Sequence, residues 1–376
     1  MLKIEISQKS GKARTGRLLT AHGEVDTPTF MPVGTAGTVK GLTPRQIMET
    51  GSQMILGNTY HLMLRPTAQK VAALGGLHRM MGWNGPILTD SGGYQVFSLA
   101  HLRRLTADAV YFQSHIDGSQ VELSPEMAVD IQQLLGSDVM MQLDECTPAD
   151  AAKQDVAAAV ERSAVWAGRC KKRWQECHEC VAHQGHEQAL FGIQQGGVFR
   201  DLRAESAERL RELDLPGYAV GGLSVGEGHA AMCDVLDDID ALLPHDKPRY
   251  LMGVGEPRDI IAAVLRGIDM FDCVMPTRNG RNAQAFTWNG KLRLRNAQYA
   301  EDTAPLDENC ACYTCRTFSR GTIRHLFMAR EMLGPILLTL HNLHFFADFM
   351  RAIRESITAG TLETDSLKWL AAIYGK

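Results

Sequence analysis

The sequence predicts an α/β protein, a (β/α)₈ barrel with an extra subdomain inserted near its C-terminus. Three observations carry that prediction. Eight short apolar runs recur, each ending in Gly or a polar residue, and stretches of helical composition lie between several of them. The Gly-x-Gly-x-x-Gly fingerprint of a doubly wound nucleotide-binding sheet is missing after the first run. Past the eighth run the composition turns basic and three cysteines crowd together.

In chain order the predicted strands cover residues 30–33, 53–56, 86–89, 138–143, 190–193, 218–220, 250–252 and 268–271. Helical patterns are expected over 43–50, 125–135, 150–175, 202–213 and 257–266, and a last barrel helix is expected to begin near His341. The chain then divides into a barrel (1–275), a basic subdomain (276–340) and a final helix with its tail (341–376). No sequence repeat or low-complexity linker interrupts it.

With 376 residues, 45% apolar, 22% charged and a net charge of −4, disorder and wholesale coating of nucleic acid are both excluded. No apolar run approaches the ~18 residues that would span a membrane. The opening MLKIEISQKSGKARTG lacks the apolar stretch of a signal peptide, so a cytoplasmic enzyme is expected.

Barrel active sites form at the C-terminal ends of the strands. Asp90, Asp144, Gln195, Gly222 and Asp272 all fall at such ends, and are expected to meet at one mouth although tens of residues separate them. Asp90-Ser91-Gly92-Gly93-Tyr94 pairs a carboxylate with glycines that admit a ligand close to the backbone and an aromatic ring that can stack on it. A turn with a capping aspartate would read the same way. Asp144-Glu145-Cys146 follows its strand likewise, and Asp144 is either functional or caps a helix starting near Pro148. In Asp272-Cys-Val-Met-Pro-Thr277-Arg278-Asn279-Gly280-Arg281, guanidinium groups beside a carboxylate would lower its pKa, as suits a nucleophile; a structural Asp–Arg pair is the alternative.

Cys310, Cys312 and Cys315 place three thiols within six residues, the pattern of a closed Cys₃His zinc site. His341 is the expected fourth ligand, with His325 and His344 as competitors. The metal would clamp onto the barrel the segment 276–330, which holds nine Lys/Arg against four Asp/Glu and suits a phosphate backbone. Cys177, Cys180, His183 and His186 resemble a second metal site, but they end a charged helical stretch and are expected to be surface. Carboxylates facing a developing oxocarbenium ion are the general solution for chemistry at an anomeric carbon.

On these motifs the chain resembles the bacterial queuine tRNA-ribosyltransferase (tRNA-guanine transglycosylase) family. The likeness runs nearly end to end: Phe30-Met-Pro-Val-Gly-Thr35, Ile55-Leu-Gly-Asn-Thr-Tyr-His61, Leu88-Thr-Asp-Ser-Gly-Gly93, Asp144-Glu-Cys-Thr-Pro148, Tyr218-Ala-Val-Gly-Gly222, Tyr250-Leu-Met-Gly-Val-Gly255 and Gly267-Ile-Asp-Met-Phe-Asp-Cys273. The Cys₃ cluster with His341-Asn-Leu343 resembles the family's zinc site.

The resemblance implies an irregular barrel with one structural Zn²⁺, a homodimer, and exchange of the wobble guanine in tRNAs with GUN anticodons (those for aspartate, asparagine, histidine and tyrosine). It makes Asp272 the nucleophile and Asp90 the handler of the incoming base's proton. Asp144, Gln195, Gly222 and Leu223 would read the base edge, and Tyr94 and Met252 would stack on it. Gly253-Val254-Gly255-Glu256-Pro257-Arg258-Asp259 and Thr277 to Arg281 would touch tRNA. Cys146 and Val225 are the residue types of the bacterial branch, which implies 7-aminomethyl-7-deazaguanine (preQ1) rather than queuine. The archaeal branch carries further C-terminal RNA-binding domains, and this sequence runs to Lys376 without them. Gln142-Leu143 departs from the Phe expected immediately before the aspartate.

Overall fold

The computed structural model of the chain describes residues 2–99, 103–179 and 185–375. It opens with an antiparallel sheet, β1 (Lys3–Ser10), β2 (Ala13–Thr20) and β3 (Gly23–Thr27). The barrel strands follow as β4 (Thr29–Met31), β5 (Ile55–Gly57) and β6 (Ile87–Thr89). An antiparallel excursion, β7 (Arg103–Leu105), β8 (Val110–Gln113) and β9 (Gln120–Leu123), precedes the rest of the barrel. That comprises β10 (Val139–Met141), β11 (Ala189–Gln194), β12 (Gly217–Val220), β13 (Arg249–Leu251) and β14 (Met270–Asp272). A hairpin of β15 (Gln284–Thr287) and β16 (Gly290–Arg293) lies beyond it.

The eight parallel strands run in the order β4-β14-β13-β12-β11-β10-β6-β5. β5 meets β4 through Gly34 N–H donating to Leu56 O (2.6 Å) and Leu56 N–H donating to Pro32 O (3.0 Å), which closes the barrel. Each predicted run coincides with one of these strands. Side chains alternate along them as the pleat requires: Phe191 and Ile193 of β11 join Met31, Leu88, Met141, Ala219 and Tyr250 in one cluster, while Leu190 joins another.

Ile4, Leu18 and Val25 of the N-terminal sheet share the first of those clusters, so that sheet packs against the barrel's closed end. Arg14 of β2 fastens it there. Its Nε and Nη2 donate to Oδ1 (2.8 Å) and Oδ2 (2.6 Å) of Asp269, which immediately precedes β14, and both side chains are buried.

The last long helix is Leu333–Ala359, so the expectation that it begins near His341 is corrected. Pro335 sits in its first turn, where proline costs no hydrogen bond, and the apolar residues Leu337, Leu338 and Leu340 continue the helix through His341. The first helix after Asp144 begins only at Lys153, which leaves no helix near Pro148 for Asp144 to cap. Among the described residues no helix is long and apolar enough to cross a membrane.

Candidate active site

Asp90 follows β6, Asp144 lies three residues past β10, Gln195 follows β11, Gly222 and Leu223 follow β12, Met252 follows β13, and Asp272 ends β14. Because these strands are parallel and mutually adjacent, all seven residues sit at one end of the barrel. That end is the mouth.

Asp90 is held from three directions. Asn58 Nδ2 donates to its Oδ2 at 2.6 Å, Thr59 N–H to Oδ1 at 2.7 Å and Gln95 Nε2 to Oδ2 at 2.9 Å. Asp144 accepts from Gln195 Nε2 at 2.7 Å and from Ser91 Oγ at 3.2 Å. Burial disfavours both charged forms and outweighs these donors, and each carboxyl is pushed up to about 6. Mutual repulsion adds to this: Asp272 raises Asp90, and Asp90 raises Asp144. Two carboxyl groups poised near neutrality can hold or release a proton against a bound base.

Glycines make room here. A Cβ on Gly93 would lie 2.7 Å from Asp144 O, and one on Gly222, whose φ is +66°, would lie 2.5 Å from Gln195 Oε1. Leu223 is buried, Met252 half-buried and Tyr94 53% exposed, so an aromatic face stands open to solvent beside the glycines.

Asp272 Oδ1 accepts from the Tyr250 hydroxyl at 2.5 Å and from Gly253 N–H at 2.7 Å. Oδ2 has no hydrogen bond among the described residues, which leaves one oxygen available for attack. The expected guanidinium partners are a correction. Burial raises the Asp272 carboxyl, Tyr250 and Gly253 oppose that, and no arginine forms an ion pair with it among the described residues. The cause is local. Helix Met275–Arg281 begins three residues after Asp272 and carries Arg278 and Arg281 along its last turns.

Of the expected tRNA contacts, Arg258 and Arg278 are exposed, whereas Thr277 is buried and Gly280 packs against Thr339. Glu256 is engaged by Lys291 Nζ (2.6 Å) and Tyr374 OH (2.8 Å), and Asp259 by His229 Nδ1 (2.6 Å). Leu143, at the position where a Phe was expected, is buried, and Gln142 beside it accepts from Ile193 N–H (3.0 Å) and donates to Ser163 O (3.1 Å).

Asn58, Thr59, Gln95 and Tyr250 were missed by sequence reasoning, although Asn58 and Thr59 stand at the end of β5, where the barrel argument could have found them. Arg203 was also missed. It is buried beneath the site, donating to Gln194 O (3.0 Å) and Gly197 O (2.8 Å), and burial brings it down to about 10. Its near neighbour Cys146 is pushed up to about 12, chiefly by burial, and is therefore a thiol rather than a nucleophile.

The cysteine cluster is assembled apart from the mouth. Sγ of Cys310, Cys312 and Cys315 lie 3.7, 3.6 and 3.3 Å from His341 Nδ1. Tetrahedral zinc with ordinary Zn–S and Zn–N lengths needs a sulfur–nitrogen separation of about 3.6 Å. His341 Nε2 donates to Phe286 O at 2.7 Å, fixing the tautomer that turns Nδ1 toward the sulfurs. These four residues can hold a metal ion. His325 is exposed and His344 lies outside the cluster, which settles the choice among the three histidines. Of the Cys177–His186 run, expected to be surface, Cys180 and His183 lie outside the described residues, while Cys177 is buried, a correction, with its Sγ 3.7 Å from Asp130 Oδ1.

A parallel barrel with three carboxylates at its mouth and a Cys₃His cluster on its C-terminal extension defines a barrel enzyme built for acid–base and nucleophilic work on a polar substrate. The sequence profile of queuine tRNA-ribosyltransferase matches residues 8–374. The chain is 56% identical over 352 residues to the queuine tRNA-ribosyltransferase of Solidesulfovibrio magneticus, covering 93% of this chain and 92% of that protein. It is 53% identical over 359 residues to that of Cereibacter sphaeroides (96% and 93%) and 54% identical over 357 residues to that of Zymomonas mobilis (95% and 92%). The chain belongs to the queuine tRNA-ribosyltransferase family, pentosyltransferases that act on tRNA.

Proposed function

We propose that this enzyme exchanges the wobble guanine of tRNAs with GUN anticodons for preQ1, in queuosine biosynthesis, through a covalent intermediate on Asp272. The observation that carries the reading is the meeting of Asp90, Asp144 and Asp272 at the barrel mouth, each with a different set of donors. Asp272 attacks the ribose anomeric carbon, the bond to guanine breaks with its electron pair passing to the base, and an ester links ribose to the carboxylate. The base nitrogen of preQ1 then displaces Asp272, and Asp90 takes up the proton that preQ1 loses. Two displacements retain the configuration of the nucleoside. An anticodon loop presents its base with little unstacking cost.

Asp144, Gln195 and the backbone at Gly222 and Leu223 read the base edge, with Tyr94 and Met252 against its faces. Val225, bulkier than the residue type of eukaryotic relatives, favours preQ1 over queuine, whose cyclopentenediol needs more room. The exposed Arg258 and Arg278 suit the tRNA backbone. The Cys₃His cluster takes Zn²⁺ in a structural role, since four protein ligands leave no open position. Met328, Met332 and Leu333 are exposed apolar side chains within six residues of that subdomain's chain, as suits a homodimer. The enzyme works in the cytoplasm.

The test is mass spectrometry of nucleosides from a GUN-anticodon tRNA incubated with the enzyme and preQ1, queuine or no base. Exchange with preQ1 alone is expected. Exchange with queuine would overturn the base assignment, and no exchange with retained tRNA binding would indicate a non-catalytic subunit. Asp272→Asn is expected to abolish the denaturation-resistant tRNA adduct; an adduct that persists removes Asp272 from the nucleophile's role.

A further inference from the structure

A second group of metal-ligating side chains lies at the closed end of the barrel, away from both the mouth and the Cys₃His cluster. Asp138 immediately precedes β10, and its Oδ2 accepts from Ile87 N–H, the first residue of β6, at 2.8 Å. His22 stands in the turn between β2 and β3; its backbone N–H donates to Asp138 Oδ1 (3.1 Å) and its Nδ1 lies 2.8 Å from the same oxygen. His186 stands on the approach to β11, its ring edge-on to that of His22 with centroids 4.6 Å apart. One ligand atom each from His22, Asp138 and His186 fall within 4.8 Å of one another.

We propose that His22, Asp138 and His186 form a second site for a divalent transition metal of zinc-like chemistry, which ties the N-terminal sheet to the barrel floor. Two imidazoles and one carboxylate are the ligand set of zinc, cobalt or nickel rather than of magnesium or calcium. Neighbouring ligands of tetrahedral zinc stand roughly 3.4 Å apart, so small side-chain rotations that narrow the wider separations and open the 2.8 Å His22–Asp138 contact would seat an ion, with water in the fourth position. The charge balance also calls for a cation. The Asp138 side chain is 1% exposed, and no Lys or Arg nitrogen reaches it among the described residues.

His78 is the positioning residue. Its Nε2 lies 3.2 Å from Asp138 Oδ2, and its ring stacks on His22 with centroids 3.6 Å apart, which fixes both groups as outer partners of a metal site commonly do. A plain hydrogen-bonded pair of histidines on a buried aspartate would account for His22 and His78. It would not account for a third imidazole turned edge-on to them. His186 ends the run that began with Cys177 and Cys180 in the sequence, so part of that run reaches a metal-competent group after all, through partners no spacing rule would find.

The test is metal content per chain after equilibration of the intact protein with Co²⁺ and removal of free ion. Two ions per chain are expected in the wild type. His22→Ala and His186→Ala should each retain one, and His78→Ala should weaken the second ion's affinity roughly 10–100-fold. The thiolate-to-cobalt absorption of the cysteine cluster keeps the two sites distinct and reports that each variant is folded. One ion per chain in the wild type, held with full thiolate absorption, would overturn the proposal and return the cluster to a hydrogen-bonded pair. A second ion undiminished in both alanine variants would overturn the ligand assignment.

Discussion

The Tyr250 hydroxyl donates a 2.5 Å hydrogen bond to Oδ1 of Asp272 across two adjacent barrel strands. Tyr250 is buried, and burial together with the neighbouring Asp272 charge lifts its own ionisation well above the usual phenol range, so it stays a donor. Burial pushes Asp272 toward the protonated acid, against the nucleophile's role proposed for it, and Tyr250 is the largest opposing influence.

Tyr250→Phe keeps the ring and removes only that donor. A hydrogen bond to a charged group contributes about 1.5–3 kcal/mol, so the step that needs ionised Asp272 should slow roughly 10–100-fold. The Asp272 carboxyl should rise further, and the acid limb of the pH profile of kcat/KM should move to higher pH. A slower enzyme with an unmoved limb would show that Tyr250 serves packing alone.

Asp90 and Asp144 make a stability prediction. Each is raised from 3.8 to about 6 in the folded protein. Between those pH values the folded state binds more protons than the unfolded chain, so stability falls as pH rises through the window and the cost is complete above pH 6. Asp144→Asn should therefore stabilise the fold at pH 8 by on the order of 1–3 kcal/mol, read as a higher thermal midpoint, with no gain near pH 4. Activity should be lost in the same variant. Equal gain at both pH values would rule out ionisation as the cause.

The barrel was legible because strands covered on both faces read as unbroken apolar runs. The same runs located Asp90, Asp144, Gln195 and Asp272, since a strand's end fixes where its next residue points. The N-terminal sheet was not legible: in Lys3–Ser10 only Ile4 is fully buried, so no apolar run marks the strand. The donors to Asp90 were missed although Asn58 and Thr59 follow a predicted strand, because they reach it across more than thirty residues through the adjacency of β5 and β6. The pairing of Asp272 with arginines failed because sequence proximity stood in for geometry, and a helix start immediately afterwards redirects the chain.

Gly222 tests whether the base pocket is shaped by the missing Cβ. In Gly222→Ala the new methyl would sit 2.5 Å from Gln195 Oε1, and Gln195 is the residue whose Nε2 holds Asp144. Backbone strain at positive φ costs on the order of 1–3 kcal/mol wherever alanine is placed. Gly228→Ala is the matched control, since its φ is +84° and nothing lies within 4 Å of its Cβ. Calorimetry should find preQ1 affinity at least tenfold weaker in Gly222→Ala and little changed in Gly228→Ala. Equal losses would assign the effect to strain rather than to the displaced Gln195.

Removal of metal from the cysteine cluster should act on folding before chemistry. Cys312 is buried, its Sγ accepts from Cys315 N–H at 3.4 Å to start the helix Tyr313–Thr317, and the same sulfur faces His341 from the long helix. An ion held by these residues would tie this short helix to Leu333–Ala359, and through His341 to Phe286 of the hairpin. Metal present at a thousand times its dissociation constant contributes about 4 kcal/mol, which a strong chelator withdraws. Chelation should lower the thermal midpoint and open segment 276–340 to limited proteolysis while the barrel core stays resistant. Cys312→Ser should lose the metal and soluble protein together. Full metal retention in Cys312→Ser would refute the ligand set, and metal loss without new cleavage sites would mean that apolar packing holds the segment unaided.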